Sequence, residues 1–207
     1  MRFFQPFPLT TYDIAGDQPK ILRLVKNIFA RTKFLDSIKA ESFIYYLYDV
    51  KDGDTPEILA YNYYGNANRH WIILMTNDIV DPFYDWPLTY TNFVEFIKSK
   101  YGSVTTAQTT YSHYEKVITK IDSVTNTETI NKYKLDYDTY LALPSSSTQT
   151  VNLKDGNTVT ITTTKNAVSY YDYEYNLNES KRTIKIIDKQ YIGNIEREMK
   201  LLLQNNV

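Results

Sequence analysis

Apolar and polar positions keep no lasting period over the first forty residues. The opening segment MRFFQPFPLTTYDIAGDQPK mixes Phe with Pro; proline fixes its own φ and pushes its predecessor extended, so no regular element persists there. Phe3, Phe4, Phe7 and Tyr12 therefore sit on an arm that packs on its own body or docks on a neighbour. ILRLVKNIFARTKFL fits two templates. Ile21, Leu24, Val25 and Ile28 match a helix stripe, whereas Leu22, Leu24 and Ile28 match a strand face.

The pattern then becomes readable. SFIYYLYDV, β-branched and aromatic, predicts a strand that ends in the turn KDGD. Thr55 or Asp54 caps a following helix, with Pro56 in its first turn, where a missing N–H costs nothing. Ile58, Leu59 and Tyr63 fall on one face, and Gly65 supplies a left-handed stop. Asn66 or Asn68 caps a second helix, RHWIILMTN, whose Trp71, Leu74 and Met75 share a face. DIVDPFYDWP closes this stretch with two Pro-bounded turns. NFVEFIKSKY predicts a short helix with Phe93, Phe96 and Ile97 inward, ended by Gly102.

From Val104 to Asn176 the texture is Thr, Ser, Asn and Tyr in period-two alternation, and strands are expected. In KYKLDYDTY, Tyr133, Leu135 and Tyr137 would face one way. TVNLKDGNTVTITT reads as a hairpin with a three-residue loop that includes Asn157, which pairs Leu153 with Val159 and Val151 with Ile161. SSST at 145–148 is the expected flexible spot. Tyr171, Tyr173 and Tyr175 of SYYDYEY read as the aromatic face of an amphipathic strand, in preference to a sugar-stacking platform. Near the end, Thr183–Ile187 predicts another strand. Ile192, Ile195, Met199 and Leu202 follow at spacings of three, four and three, a narrow helical seam suited to one partner surface. Glu196 and Lys200 are placed for a surface pair. Gly193 weakens that helix by ~1 kcal/mol relative to Ala. The class is α+β.

Composition narrows the function. The 207 residues suffice for one medium domain or two small ones. Lys plus Arg is 23 against 24 for Asp plus Glu, with no basic window, so nucleic acid and anionic membranes are poor partners. Cysteine is absent, which removes disulfides and thiol chemistry and fits a reducing compartment. No apolar run approaches the ~20 residues of a bilayer span, and the N-terminus lacks a signal peptide's regions. Tyrosine, at 20, is the unusual number; it offers rigid, half-wet contact area and points to an interaction protein.

Catalytic and metal readings find little support. Asp49, Asp52, Asp54 and Glu57 do not keep the ligand spacing of an EF-hand and read as a turn plus a helix cap. His70 and His113 lie far apart in the sequence and leave a metal short of nitrogen ligands. No Ser sits in a G-x-S-x-G turn, Asp136 and Asp138 alternate with apolar residues as a solvated strand face does, and six glycines form no phosphate loop. No metal, cofactor or catalytic residue is expected.

YDVKDGDTPEILAYNYYGN, followed by a Trp-bearing helix and TND, resembles the LysM module: a strand, a Gly-Asp-Thr turn and two helices. The particular form, with YGN, HWIILMTNDIVDPFYDWP and a following KYG, is similar to the baseplate wedge proteins of contractile-tailed bacteriophages, the LysM-like component that joins adjacent wedges. FFQPFPLTTYD and NESKRTIKIIDKQYIGNIEREMK share that likeness. The resemblance implies an N-terminal arm at 1–40, a LysM-like module at 41–90, a short helix plus β-rich insertion at 91–180, and a returning strand with a docking helix at 181–207. An ordinary LysM module pairs its first strand with one after its second helix; none follows DIVDPFYDWP directly, so 182–187 is expected to supply it.

The resemblance also implies a non-catalytic virion protein of the tail baseplate, assembled in the host bacterial cytoplasm. It would be multi-copy in a ring, bound to other wedge subunits and to the neighbouring wedge. Exposed aromatics would grip those partners, with Tyr61, Tyr64, Tyr84 and Trp86 as module anchors and Trp71 in the core. Phe3, Phe4 and Phe7 on the arm and Ile192, Ile195, Met199 and Leu202 on the last helix would order on neighbours. The alternative is a LysM-type binder of peptidoglycan, an N-acetylglucosamine polymer, although a lone module lacks the avidity of repeats. A wall-degrading enzyme would need a carboxylate pair in a cleft.

Overall fold

A computed structural model of the chain describes residues 3–13, 16, 21–28, 30, 44–153 and 156–204. Helices and strands alternate irregularly along it, and the class is α+β. The chain divides into two compact units, Met1–Thr89 with Ser180–Val207, and Tyr90–Glu179.

The first unit begins with a hairpin of β1 (Leu9–Asp13) and β2 (Leu22–Lys26). The segment that fitted both templates is thus a strand over Leu22–Lys26; residues 29 and 31–43 lie outside the described residues. Leu22 and Leu24 are 62% and 66% exposed, so this hairpin adds no core. Lys26 ties it to the arm, its ammonium donating to the carbonyls of Gln5 and Phe7 at 3.0 and 2.8 Å.

The body of the unit is β3 (Tyr45–Asp49), α1 (Pro56–Tyr64), a 3₁₀ turn (Ala67–Arg69), α2 (His70–Thr76), a one-turn α3 (Pro82–Asp85) and, beyond the other unit, β8 (Thr183–Ile187) and α8 (Ile192–Gln204). β3 and β8 are antiparallel, with Tyr45 opposite Ile187 and Asp49 opposite Thr183. Backbone bonds continue the ladder at both ends, from Asp188 N–H to Ile44 O at 2.8 Å and from Val50 N–H to Arg182 O at 2.9 Å. Alternation on β8 sends Ile184 and Ile186 to the core with Leu59, Ala60, Trp71, Ile72 and Ile73 of the two helices.

Local chemistry sets each boundary. Thr55 Oγ1 accepts from Ile58 N–H and caps α1, while the Asp54 carboxylate turns back to Lys51 N–H and the Tyr48 hydroxyl. Gly65, at φ +68°, ends α1 where a side chain would be strained. Asn66 caps the 3₁₀ turn. The buried side of α1 is Leu59, Ala60 and Tyr64; Ile58, expected inward, is 46% exposed, because the helix rotates its small Ala60 toward the core instead. Asn77 closes α2 by bridging to β8, donating to Lys185 O at 2.8 Å and accepting from Lys185 N–H at 2.7 Å.

The second unit holds α4 (Tyr90–Tyr101), α5 (Val104–Thr109), β4 (Tyr111–Asp122), β5 (Glu128–Leu135), α6 (Tyr137–Ala142), β6 (Ser146–Asn152), β7 (Thr158–Ser169) and α7 (Tyr170–Glu179). Its strands form one antiparallel sheet in the order β5-β4-β7-β6. Phe93 and Ile97 of α4 are buried as expected, and Gly102 stops the helix at φ +83°. Three segments expected as strand are instead helical. Ser103, Asp136 and Ser169 each accept a hydrogen bond from the backbone N–H three residues on, at 3.0, 2.9 and 3.0 Å, nucleating α5, α6 and α7. Tyr137 is therefore on a helix, not on the face of Tyr133. Tyr171 and Tyr175 become helical neighbours that stack at 6.4 Å, and each meets the Phe93 ring in a T-shaped contact.

The hairpin β6–β7 also departs from expectation. Val151 stands opposite Val159, and Leu153 N–H donates to Asn157 O at 2.7 Å. Leu153 is thus paired with Asn157 rather than with Val159, so the register lies two residues from the expected one and Asn157 belongs to the strand side of the turn; residues 154 and 155 lie outside the described residues. Gly156, at φ +78°, precedes Asn157, and the left-handed backbone there falls to glycine more readily than to Asn157. Residues 146–148, expected as the flexible spot, are strand. The buried face assumed for this hairpin is absent too, since every residue of β6 is exposed.

Candidate interaction surface

The turn after β3 organises the exposed end of the first unit. Burial and the hydrogen bond to Asp54, 2.8 Å long, push the Tyr48 phenol up to about 12, so it stays a neutral donor. The Asp54 carbonyl accepts from the Trp86 indole N–H at 3.0 Å. That bond fastens the segment after α2 onto the turn. Asp81 Oδ1 caps α3 through Phe83 N–H at 2.9 Å. Asp85 Oδ2 gathers the N–H groups of Val80 and Asp81 at 3.2 and 3.1 Å, and the Lys181 ammonium donates to Tyr84 O. With its backbone so fixed, the segment holds out Val80, Phe83 and Tyr84 at 81%, 85% and 72% exposure. Tyr61, at 64%, projects from α1. These are large apolar groups on ordered backbone, the kind of surface a partner desolvates at little conformational cost.

The expected anchors divide. Tyr61, Tyr84, Phe4 and Leu202 are exposed. Trp86 and Tyr64 are not: at 8% and 7% exposure both belong to the core. Trp86 turns inward because its N–H finds the Asp54 carbonyl, and Tyr64 because α1 ends with that side facing β8. Neither is a free anchor, and the expectation that Trp86 serves only a partner is corrected. Phe7 and Phe3 also pack at home. Phe7 is 5% exposed, and Phe3 lies 5.1 Å from Phe7 and 5.8 Å from Trp71, ring to ring. The arm thus closes over Trp71, leaving Phe4 outermost.

The seam of α8 likewise docks on its own unit. Ile192 and Met199 are buried at 3% and 4%, and Ile195 packs against the same core. Leu203, not Leu202, completes the seam. Glu196, expected to face Lys200, takes a two-pronged bond from Arg69 at 3.0 and 3.3 Å, while Arg69 also donates to Tyr64 O. Sequence reasoning missed Phe83 and Val80. For Phe83 the signal was the Asp81-Pro82 start of α3, a capped single turn that holds Phe83 and Tyr84 outward; Val80 lies before that turn and carried no such signal.

Chemical alternatives gain nothing here. His70 and His113 lie in different units, His70 against Ala67 O and His113 beside Ser112 and the Tyr173 ring. Among the described residues no group of three or more His, Cys, Asp or Glu is placed to hold a metal, and no helix is long and apolar enough to cross a membrane.

Comparison with known proteins places the chain in a family. Over 109 residues the chain is 28% identical to the baseplate wedge protein gp53 of Enterobacteria phage T4, a match covering 53% of this chain and 55% of that protein. The aligned stretch thus spans about half the length of the relative. A family model described as base plate wedge protein 53 matches residues 2–201. The chain belongs to the base plate wedge protein 53 family.

Proposed function

We propose that the chain is a non-catalytic component of a phage tail baseplate, present in several copies in the virion, that binds other wedge subunits and bridges to the neighbouring wedge so that the ring closes around the hub. Membership of the wedge protein family carries this reading. The fixed, outward-facing Phe83 and Tyr84 support it, because a subunit that joins others needs ordered apolar surface left over after its own core is filled. The first unit is best read as a discontinuous LysM-like module. Its order of strand, helix, helix and antiparallel strand supports that reading.

In this role the core aromatics shape the module and the exposed ones grip. Phe83→Ala with Tyr84→Ala should leave the protein folded and weaken its incorporation into wedges, with hot-spot losses of about 2 kcal/mol or more per well-buried ring. Phage lacking the chain should accumulate wedges that do not close. Complete rings formed without it would overturn the proposal, as would tight, saturable uptake of muropeptides by the purified protein.

A further inference from the structure

The sheet of the second unit has two edges, and they differ. β5 and β6 are outermost. Lys165 N–H donates to Ser145 O at 3.5 Å and Leu153 N–H to Asn157 O at 2.7 Å. Both pairs fall on the β6–β7 register, so odd-numbered residues of β6 bond inward. Ser146, Thr148, Thr150 and Asn152 therefore turn their N–H and C=O groups away from β7. On the other edge, Asp122 N–H donates to Thr127 O at 3.2 Å, which places Glu128, Ile130, Lys132 and Lys134 outward on β5. Charge at all but Ile130 guards that edge against pairing. β6 carries no charge, no proline and no bulge, every residue of it is exposed, and among the described residues no strand lies beyond it.

We propose that β6 is a docking edge that takes an extended segment of another wedge polypeptide as a fifth strand of this sheet. The proposal rests on the function given above. A second copy of the chain would also fit the hydrogen bonds, with Ser146 opposite Asn152 and Thr148 opposite Thr150. That pairing has a two-fold axis, whereas in the proposed ring one wedge follows the next by rotation about the tail, so it cannot be the contact that joins successive wedges. The occupant is a different segment. Small hydroxyl side chains on one face of β6, and Ser147, Gln149 and Val151 on the other, suit an uncharged, β-branched strand.

Amide-resolved hydrogen exchange tests this, on the protein alone and in wedges assembled from co-expressed subunits. Alone, the amides of Thr148 and Thr150 should exchange fast and those of Gln149 and Val151 slowly. In the wedge the fast pair should slow on the order of 100-fold. If wedges form and the fast pair stays fast, the edge proposal fails and the functional reading stands; if the chain does not enter wedges, both fail. Protection that appears in the isolated protein as its concentration rises would make the occupant a second copy and overturn the assignment. Thr148→Pro with Thr150→Pro removes only outward donors and spares the ladder to β7. This variant, and Thr148→Lys with Thr150→Lys, should fold yet enter wedges at least about tenfold less well. Normal incorporation of either folded variant would refute the proposal.

Discussion

Trp86 is the residue at which stability and binding are most easily confused, and replacing it separates them. A buried tryptophan removes roughly 150–250 Å² from water, which at ~25 cal/mol per Å² is about 4–6 kcal/mol. The side chain here is 8% exposed, and alanine would keep only a small part of that area. Partial collapse of the cavity recovers some of the loss, leaving an expected cost of about 3–5 kcal/mol for Trp86→Ala. The bond from its indole to Asp54 O can be isolated with Trp86→Phe, which keeps most of the ring and leaves the carbonyl short of a donor, for about 1–2 kcal/mol. Urea denaturation followed by tryptophan emission is the suitable assay, since both Trp71 and Trp86 lie in the first unit and Trp71 still reports on it in either variant. Phe83→Ala and Tyr84→Ala should shift the same curve by no more than about 0.5 kcal/mol. If Trp86→Ala cost under about 1 kcal/mol while impairing wedge incorporation, the assignment of Trp86 to the core would be refuted.

Tyr48→Phe should cost about 1 kcal/mol at neutral pH through the lost bond to Asp54. The folded phenol titrates above its ordinary 10.0, so its contribution is full below pH 10 and is lost as pH rises through about 12; a base titration of stability should be shallower in the variant over that window. Burial works to raise the Glu196 carboxyl, yet the bonds and charge of Arg69 hold it below its ordinary 4.5. The advantage of wild type over Glu196→Gln should accordingly be present above that pH and shrink as pH falls through the folded value, as denaturation between pH 3 and 6 would show. In the second unit, Glu174 is 5% exposed and accepts from Lys100 and Tyr101 at 2.7 and 2.8 Å. Glu174→Ala should cost about 2–3 kcal/mol by tyrosine near-ultraviolet dichroism, the sum being limited because Lys100 is half exposed and returns to water.

The legible parts of the fold were those announced by backbone chemistry. Thr55, Pro56 and Gly65 delimit α1 because a side-chain acceptor, an absent N–H and a left-handed stop each have one economical place on a helix. Ser103, Asp136 and Ser169 are caps of the same kind, but Thr-rich sequence follows the first and mixed polar and aromatic residues follow the other two, both textures that strands share. Their helices are six to ten residues long, too short for a 3.6-residue period to repeat convincingly. The hairpin register depended on a buried face that is absent, so parity survived and position did not. For the interaction surface, sequence could mark Tyr84 and Trp86 as large and near a turn. It could not say that only the second had a carbonyl waiting for it.

That distinction bears on what the tyrosines mean. An abundance of tyrosine suggested contact with partners, yet many of these rings are occupied with one another. Tyr101 stacks on Tyr170 at 4.9 Å, and Tyr114 meets Tyr137 and Tyr140 at 5.2 and 4.5 Å. Lys165 sits over Tyr140 at 4.8 Å while donating to the same residue's carbonyl. Among its described residues the second unit buries few aliphatic side chains, with Phe93, Ile97, Ala107 and Val117 the buried apolar ones. Rings that can be half wet and still stack hold its helices to a thin sheet where a larger aliphatic core would not fit. Aromatic content alone therefore does not locate an interface in this chain. The better candidates are residues such as Phe83 and Tyr84, which hydrogen-bonded backbone holds in place at 85% and 72% exposure; whether they are an interface is what the double-alanine variant tests.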